Sequence, residues 1–342
     1  MRASISFQGR AGGMDCQDRD PLPRRVSTAE IPCSHTTRGG IRSVPGKVPR
    51  LRLPPLPAAR DIFRIMRSTV LITGCSSGIG KASARIFAER GWNVVATMRS
   101  FTLETDLASL SNVLIARLDV QDRDSIDRAI AAGVARFGTI DLLVNNAGFG
   151  LHGLFEAIPR EKIQEQFDVN LFGVMDVTRA ILPHFRKNKA GMIINVSSGA
   201  GIFTLPGISL YCASKFALEG FSEALAFELA SQNIIVKIIE PHGGVTGTAF
   251  SEKAAPRPAK DPSLTDYDDF VARTNAAFAR MTAARATSAE DVARVIHAAA
   301  TDGTDRLRYL VGDDSRGFIA ARREMSDQDY VDFMRSKFLP ES

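Results

Sequence analysis

The chain has 342 residues, 44% hydrophobic and 24% charged, with 27 Gly and 16 Pro. This composition excludes a collagen, a coiled coil and a wholly disordered chain, and the length can bury a sizeable core. No apolar run approaches the ~20 residues a membrane helix requires, so no membrane span is expected.

Charge and cysteine usage narrow the classes further. Cys16, Cys33, Cys75 and Cys212 are too scattered for a disulfide framework or a zinc cluster, so no metal is expected and a reducing, cytoplasmic setting fits. The net charge of +5 sits at the front: residues 1–65 hold twelve Lys and Arg against five Asp and Glu. The remainder is near neutral, which argues against a nucleic-acid partner. The same opening stretch holds half the prolines, including Pro54, Pro55 and Pro57, and shows no helical or strand period. It reads as a disordered extension. Its Arg and Ser content is that of a targeting segment, although Asp15, Asp18, Asp20 and Glu30 are unusual there; the alternative is translation from Met66.

From Met66 onward, short β-branched runs alternate with longer helical patterns. Strands are expected over Thr69–Thr73, Asn93–Thr97, Val113–Leu118, Ile140–Asn145, Met192–Val196 and Ile234–Ile239. Helices are expected over Ile79–Arg90, Ser125–Phe137, Arg160–Lys187 and Ser209–Ser231, with a last helix at Ala289–Ala300 and a last strand at Arg308–Val311. Such alternation predicts an α/β domain over 66–342: a doubly wound parallel sheet of about seven strands, helices on both faces, ligands beyond the carboxyl ends of the strands. A substrate lid is expected over about 247–285, where Phe250, Phe270 and Phe278 can wall an apolar pocket or simply pack.

The first strand runs into Thr73-Gly74-Cys75-Ser76-Ser77-Gly78-Ile79-Gly80 and then a helix. Glycines there permit a tight turn and close approach of a pyrophosphate to free helix N–H groups, although a purely structural β-α turn has the same look. The second strand ends at Met98, where an acidic residue would hold the ribose 2′-hydroxyl of NAD; Arg99 follows instead. A guanidinium can pair with a 2′-phosphate through two charge-assisted bonds, which favours NADP(H) over NAD(H) unless Arg99 merely ends a strand in solvent.

Tyr211 and Lys215 lie four apart on one helix and so share a face. Ser198 follows the strand Met192–Val196 and brings a second hydroxyl to the same sheet edge. A free phenol has a pKa of about 10, and lowering it by three units requires about 4 kcal/mol. A lysine charge ~5 Å away at an effective dielectric of ~20 supplies about 3 kcal/mol, and the positive charge of an oxidised nicotinamide can supply the rest. Tyr211 can then move the proton of an alcohol or carbonyl beside a nicotinamide, with Ser198 bonding the developing oxyanion.

Together these residues resemble the short-chain dehydrogenase/reductases. The resemblance runs from about Met66 and fades after Phe250. It includes the turn at Thr73 to Gly80, Asp119-Val120, the Asn145-Asn146-Ala147-Gly148 run, Asn170, Asn195 to Ser198, and the Tyr211/Lys215 pair. It implies a Rossmann-type fold and a catalytic tetrad of Asn170, Ser198, Tyr211 and Lys215, with Asn170 holding a water that links Lys215 to solvent. It further implies that Thr73, Gly74, Ser76, Ser77, Gly78, Ile79 and Gly80 cradle the cofactor, that Asp119 with Val120 meets the adenine, and that Asn146, Ala147 and Gly148 border it. Lys215 would also contact the nicotinamide ribose, with Val245 and Thr246 closing over the nicotinamide. A homodimer or homotetramer is implied, as is a small-molecule substrate, a hydrophobic carbonyl compound or secondary alcohol. One departure stands out: the family's Pro-Gly after the sixth strand is here Pro241-His242-Gly243-Gly244.

Other residues carry blander readings. His242 and His152 can line the pocket or be plain loop residues, and His35, His184 and His297 share no constellation. Asp266, Asp268 and Asp269 read as a solvated segment rather than a metal site. Cys75 and Cys212 flank the site without a visible cause for reactivity. Two other functions remain open: a non-catalytic NADP(H)-binding regulator, and an epimerase or dehydratase using the same Tyr/Lys pair.

Overall fold

In the computed structural model, residues 68–100, 106–242, 244–246, 261, 263–284, 287–312 and 316–338 are described. The expected extension at 1–65, Phe250 and most of the segment 247–262 lie outside them.

Seven strands form one parallel sheet: β1 (Thr69–Ile72), β2 (Asn93–Met98), β3 (Val113–Arg117), β4 (Leu142–Asn145), β5 (Gly191–Val196), β6 (Ile234–Pro241) and β7 (Arg308–Val311). Their order is β3-β2-β1-β4-β5-β6-β7, with all neighbours parallel. The chain winds outward from β1 to β3 and then returns to place β4 on the other side of β1. This reversal opens a crevice beyond the carboxyl ends of β1 and β4, the usual ligand position in such sheets.

The central strands are buried on both faces, which is why they read as unbroken apolar runs. Val70 and Ile72 face one layer and Leu71 the other. The first layer is α1 (Gly78–Glu89) with the helix at Ala289–Thr301, contributing Phe87, Val292 and Ile296. The second is α2 (Arg123–Phe137), α4 (Gly173–Asn188) and α5 (Ser209–Ala230), contributing Ile126, Val177, Ile181 and Leu225.

Two differences from the sequence expectation matter for the site. The single helix expected over Arg160–Lys187 is α3 (Arg160–Phe167) and α4, joined by a π-helical turn at Asp168–Phe172. Such a turn widens the helix by one residue and re-aims the side chain it carries, here Asn170.

The chain also does not end at β7. After α6 (Asp268–Ala284) and α7 (Ala289–Thr301), it continues through α8 (Arg316–Glu324) and α9 (Asp327–Phe338). Ile319, Ala321 and Tyr330 of this pair cluster with Phe203, beyond the end of β5. The rings of Phe203 and Phe318 stack at 5.2 Å, and Tyr330 Oη accepts the Thr204 N–H at 3.3 Å. The C-terminal helices therefore fix the loop that follows Ser198.

Candidate active site

The glycine turn is locked from both sides. Gly74 has φ +76° and Gly78 φ +59°, conformations that disfavour side chains. A Cβ built on Gly80 would lie 2.3 Å from the Gly74 carbonyl oxygen and 2.5 Å from Asn146 Nδ2, so only glycine lets α1 start this close to the turn. Ser77 caps α1 without a side-chain hydrogen bond, and its first turn carries no acid. The leading N–H groups thus face the crevice with the positive end of the helix dipole.

The Asn146 segment is pinned to this turn. Thr73 Oγ1 accepts the N–H groups of Asn146 and Ala147, each at 2.9 Å, while Asn146 Nδ2 donates to the Thr73 carbonyl at 2.8 Å. Beneath it runs a buried polar ladder. Asn145 Nδ2 donates to Asn195 Oδ1 at 2.9 Å and to Thr178 Oγ1 at 3.0 Å, and Asn195 Nδ2 donates to Ser222 Oγ at 2.8 Å. These buried amides tie β4, β5, α4 and α5 together and fix their spacing.

At the next strand ends, Asp119 Oδ1 accepts the Gln121 N–H at 3.1 Å, and Val120 is buried in the core. Arg99 is exposed immediately after the buried Met98, one residue past the end of β2. Thr246 bridges to Ser288, donates its N–H to the Thr287 carbonyl at 2.9 Å and accepts from Ala289 at 3.1 Å. Val245 packs with Ile79 and Ala82 of α1, so this pair stands beside the glycine turn.

Asn170, Ser198, Tyr211 and Lys215 converge. Asn170 Nδ2 donates to the Phe149 carbonyl at 2.9 Å and to Ser214 Oγ at 3.3 Å, and Asn170 Oδ1 accepts the Phe149 N–H at 3.1 Å. Ser214 Oγ in turn donates to the Tyr211 carbonyl at 2.8 Å. Lys215 Nζ is buried, donates to the Val196 carbonyl at 2.9 Å, and lies 5.8 Å from the centre of the Tyr211 ring. Ser198 bonds the Tyr211 hydroxyl, while its Oγ accepts the Ala200 N–H at 3.2 Å. Ser214, which joins Asn170 to the tyrosine's own turn, has no signal in the sequence beyond its place between the pair.

The electrostatics here refine the sequence argument. Burial pushes the Tyr211 phenol up to about 12, against a downward pull from the Ser198 hydrogen bond. Burial likewise pushes Lys215 down to about 8, with the Glu219 carboxylate opposing it. The lowering expected from the lysine alone is therefore outweighed by desolvation of the phenol. A phenol usable at neutral pH requires further positive charge at this edge.

His184 Nε2 accepts the Ile140 N–H at 3.1 Å, and His297 packs on Phe87 and Trp92, so both are structural. His152 is exposed. His242 is buried between backbones: a Cβ on Gly199 would lie 2.7 Å from its Cβ, and one on Gly312 3.0 Å from its Nδ1. It therefore fills space behind Ser198. Asp268 and Asp269 lie in the first turn of α6, and no metal-binding group of acids, His and Cys occurs among the described residues. Burial raises the thiols of Cys75, to about 12, and of Cys212, which disfavours the reactive thiolate at both. Among the described residues no helix is long and apolar enough to cross a membrane.

Comparison with known proteins adds the following. The family model described as short chain dehydrogenase matches residues 68–258, more than half of the chain. An uncharacterised oxidoreductase of Schizosaccharomyces pombe is 39% identical over 229 residues, 66% of this chain and 92% of that protein. Retinol dehydrogenase 8 of Bos taurus is 36% identical over 245 residues, 67% of this chain and 76% of its own. Among solved structures, a short-chain dehydrogenase from Streptomyces avermitilis superposes with a TM-score of 0.66 at 31% identity, covering 80% of this chain and 96% of that one. ElxO with NADP bound gives 0.58 at 26% identity, covering 72% and 98%. A 3-ketoacyl-(acyl-carrier-protein) reductase from Brucella melitensis complexed with NADH gives 0.59 at 26% identity, covering 71% and 96%.

Proposed function

The chain belongs to the short-chain dehydrogenase family, and from that premise we propose that it is an NADP(H)-dependent oxidoreductase in which Tyr211 is the acid and base for a carbonyl or secondary alcohol. The family binds a nicotinamide cofactor, and the residues present fit one. The Gly80 approach leaves no room for a side chain between helix and turn, and the α1 N-terminus carries no competing acid. A bound nicotinamide supplies the hydride, or accepts it.

The observation that carries this reading is the meeting of a buried ammonium, a buried phenol and a serine hydroxyl at the crevice edge. In alcohol oxidation Tyr211 Oη takes the hydroxyl proton; in reduction it returns one to the carbonyl oxygen. Ser198 Oγ bonds the substrate oxygen as charge develops there. Lys215 keeps a positive charge behind the phenol, and the positive ring of an oxidised cofactor would add to it, offsetting the burial that holds Tyr211 high. Asn170, carried by the π-turn, holds the Phe149 segment and Ser214 and so fixes the tyrosine's turn.

Arg99 supports NADP(H): it is exposed at the place where the ribose of a dinucleotide lies in this fold, with no acid beside it at Met98. NADP is named with one neighbour and NADH with another, so the similarity itself does not choose. An apolar substrate is supported by the resemblance to a retinol dehydrogenase.

The test is a panel of apolar aldehydes, ketones and secondary alcohols with both reduced and both oxidised cofactors, followed by nicotinamide absorbance. Net cofactor consumption with a preference for NADPH is expected. Binding without turnover would leave a regulator, and conversion of substrate without net cofactor change would leave an epimerase or dehydratase.

A further inference from the structure

One turn beyond Lys215 on α5, directly behind the reacting pair, lies a buried charged cluster for which the reaction as described has no use. Glu219 is buried, as is Glu240 near the end of β6. Arg308 of β7 reaches both: its Nε lies 3.1 Å from Glu219 Oε2 and 3.4 Å from Glu240 Oε1, while its Nη2 lies 2.5 Å from Glu223. Three carboxylates thus face one guanidinium. Neither oxygen of Glu240 has a hydrogen-bond partner among the described residues.

The cluster touches the active loop itself. A Cβ on Gly201, three residues after Ser198, would lie 2.9 Å from Glu219 Cγ, 3.0 Å from Ser197 Oγ and 3.1 Å from the Lys215 carbonyl. Ser197, Gly201, Lys215 and Glu219 are therefore parts of one packed unit.

We propose that Glu219, braced by Arg308, is a positioning residue for Lys215: its carboxylate holds the lysine in its ammonium form across the pH range in which Tyr211 works. The inference rests on the oxidoreductase reading above and extends it to a residue that touches neither substrate nor cofactor. Every charged group facing the cluster enters the balance. Glu219 meets Lys215 on its own helix, Arg308 on β7 and Glu240 on β6; Arg308 also holds Glu223 of α5, and Glu240 also feels Arg306 ahead of β7 and Arg323 on α8. Lys215 is surrounded by the Val196 carbonyl, the Tyr211 ring and Glu219. Burial alone drives its proton off, and Glu219 supplies the opposing charge. A carboxylate one turn away on a helix can hold a buried ammonium by about one to two pH units.

Removing that negative charge lowers the proton affinity of both members of the Tyr211/Lys215 pair, so the sign of the effect does not depend on which of them titrates first. In the reduction direction both must be protonated. The experiment compares wild type, Glu219→Gln and Glu219→Asp for kcat against pH with NADPH and the best carbonyl substrate of the panel. The alkaline limb of Glu219→Gln should fall at least about one pH unit lower, while Glu219→Asp restores it and the Kd for NADPH stays unchanged. A folded Glu219→Gln protein with the wild-type limb, or a uniform loss of kcat at every pH, overturns the proposal.

Carboxyl carbon resonances of the wild-type protein give an arm independent of both turnover and variant folding. Glu219 should be ionised at the pH where the Lys215 side-chain resonance still reports an ammonium. A Glu219 carboxyl that keeps its proton above the pH at which Lys215 loses its own overturns it. A wild-type protein that turns over no substrate would instead reject the oxidoreductase reading, with the resonances still deciding the role of Glu219.

Discussion

Gly80→Ala is the most local perturbation of the proposed cofactor cradle. The added methyl would sit 2.3 Å from the Gly74 carbonyl oxygen and 2.5 Å from Asn146 Nδ2. Neither neighbour is the loose end of a flexible side chain: Gly74 is turn backbone at φ +76°, and Asn146 is held by its bonds to the Thr73 and Gly74 carbonyls at 2.8 and 3.3 Å. Relieving the overlap requires about 1 Å of separation between α1 and the turn, a typical overpacking cost of about 1–3 kcal/mol. That separation moves the N–H groups meant for a pyrophosphate, so NADPH binding should weaken by about 10–100-fold. Fluorescence titration with NADPH reads the affinity, and thermal unfolding reads the packing cost. Gly220→Ala is the control: that glycine lies in α5 with nothing within 4 Å of a built Cβ, and the change should leave binding intact while stabilising by up to about 1 kcal/mol. Wild-type NADPH affinity in Gly80→Ala would refute the cradle.

Three further outcomes follow from particular residues. Burial, with the Glu219 charge adding to it, pushes the Glu240 carboxyl from an ordinary 4.5 up to about 7. A raised carboxyl leaves stability intact below its unfolded pKa and lowers it as pH rises through the folded value. Glu240→Gln should therefore stabilise the protein above pH ~7, by at most about 3 kcal/mol in unfolding free energy, and change it little near pH ~4; an equal stability difference at both pH values would contradict this. The Lys237 ammonium is fully buried and donates to the Ala299 carbonyl and Asp302 Oδ1, each at 2.7 Å, and to Tyr309 Oη at 3.0 Å. Lys237→Met should cost about 3–5 kcal/mol in denaturant unfolding, and Lys237→Met with Asp302→Asn less. Arg99→Ser should raise the KM for NADPH about tenfold or more and leave that for NADH unchanged; equal changes for both would remove Arg99 from the ribose site.

The sheet was legible because a parallel strand buried on both faces must be apolar throughout, as Val70-Leu71-Ile72 and Leu142-Leu143-Val144 are. The glycine turn and the Tyr211/Lys215 pair were legible because each is local: a turn between strand and helix, and two residues four apart on one helix. The π-turn was not. Its residues Asp168–Phe172 keep the helical composition of their neighbours, and one inserted residue barely disturbs an apolar period. Helices α8 and α9 were missed because their buried faces are short and polar residues dominate them, the cluster around Tyr330 and Phe333 forming only against Phe203, well over a hundred positions earlier. The Glu219 cluster was hidden for the same reason. Arg308 meets Glu219 across 89 positions, and Glu240 stands inside an apolar strand where a single acid carries no pattern. The phenol's energetics were misjudged because Coulomb attraction can be read from spacing, whereas desolvation depends on everything packed around the ring.

In the proposed reaction Tyr211 moves the proton while neighbouring groups hold the cofactor. Single-turnover absorbance of Tyr211→Phe, mixed with NADPH and a reducible carbonyl, tests it most directly. Near wild-type NADPH affinity is expected together with a rate of nicotinamide oxidation lowered by about a hundredfold or more. Oxidation at the wild-type rate in that variant would contradict it.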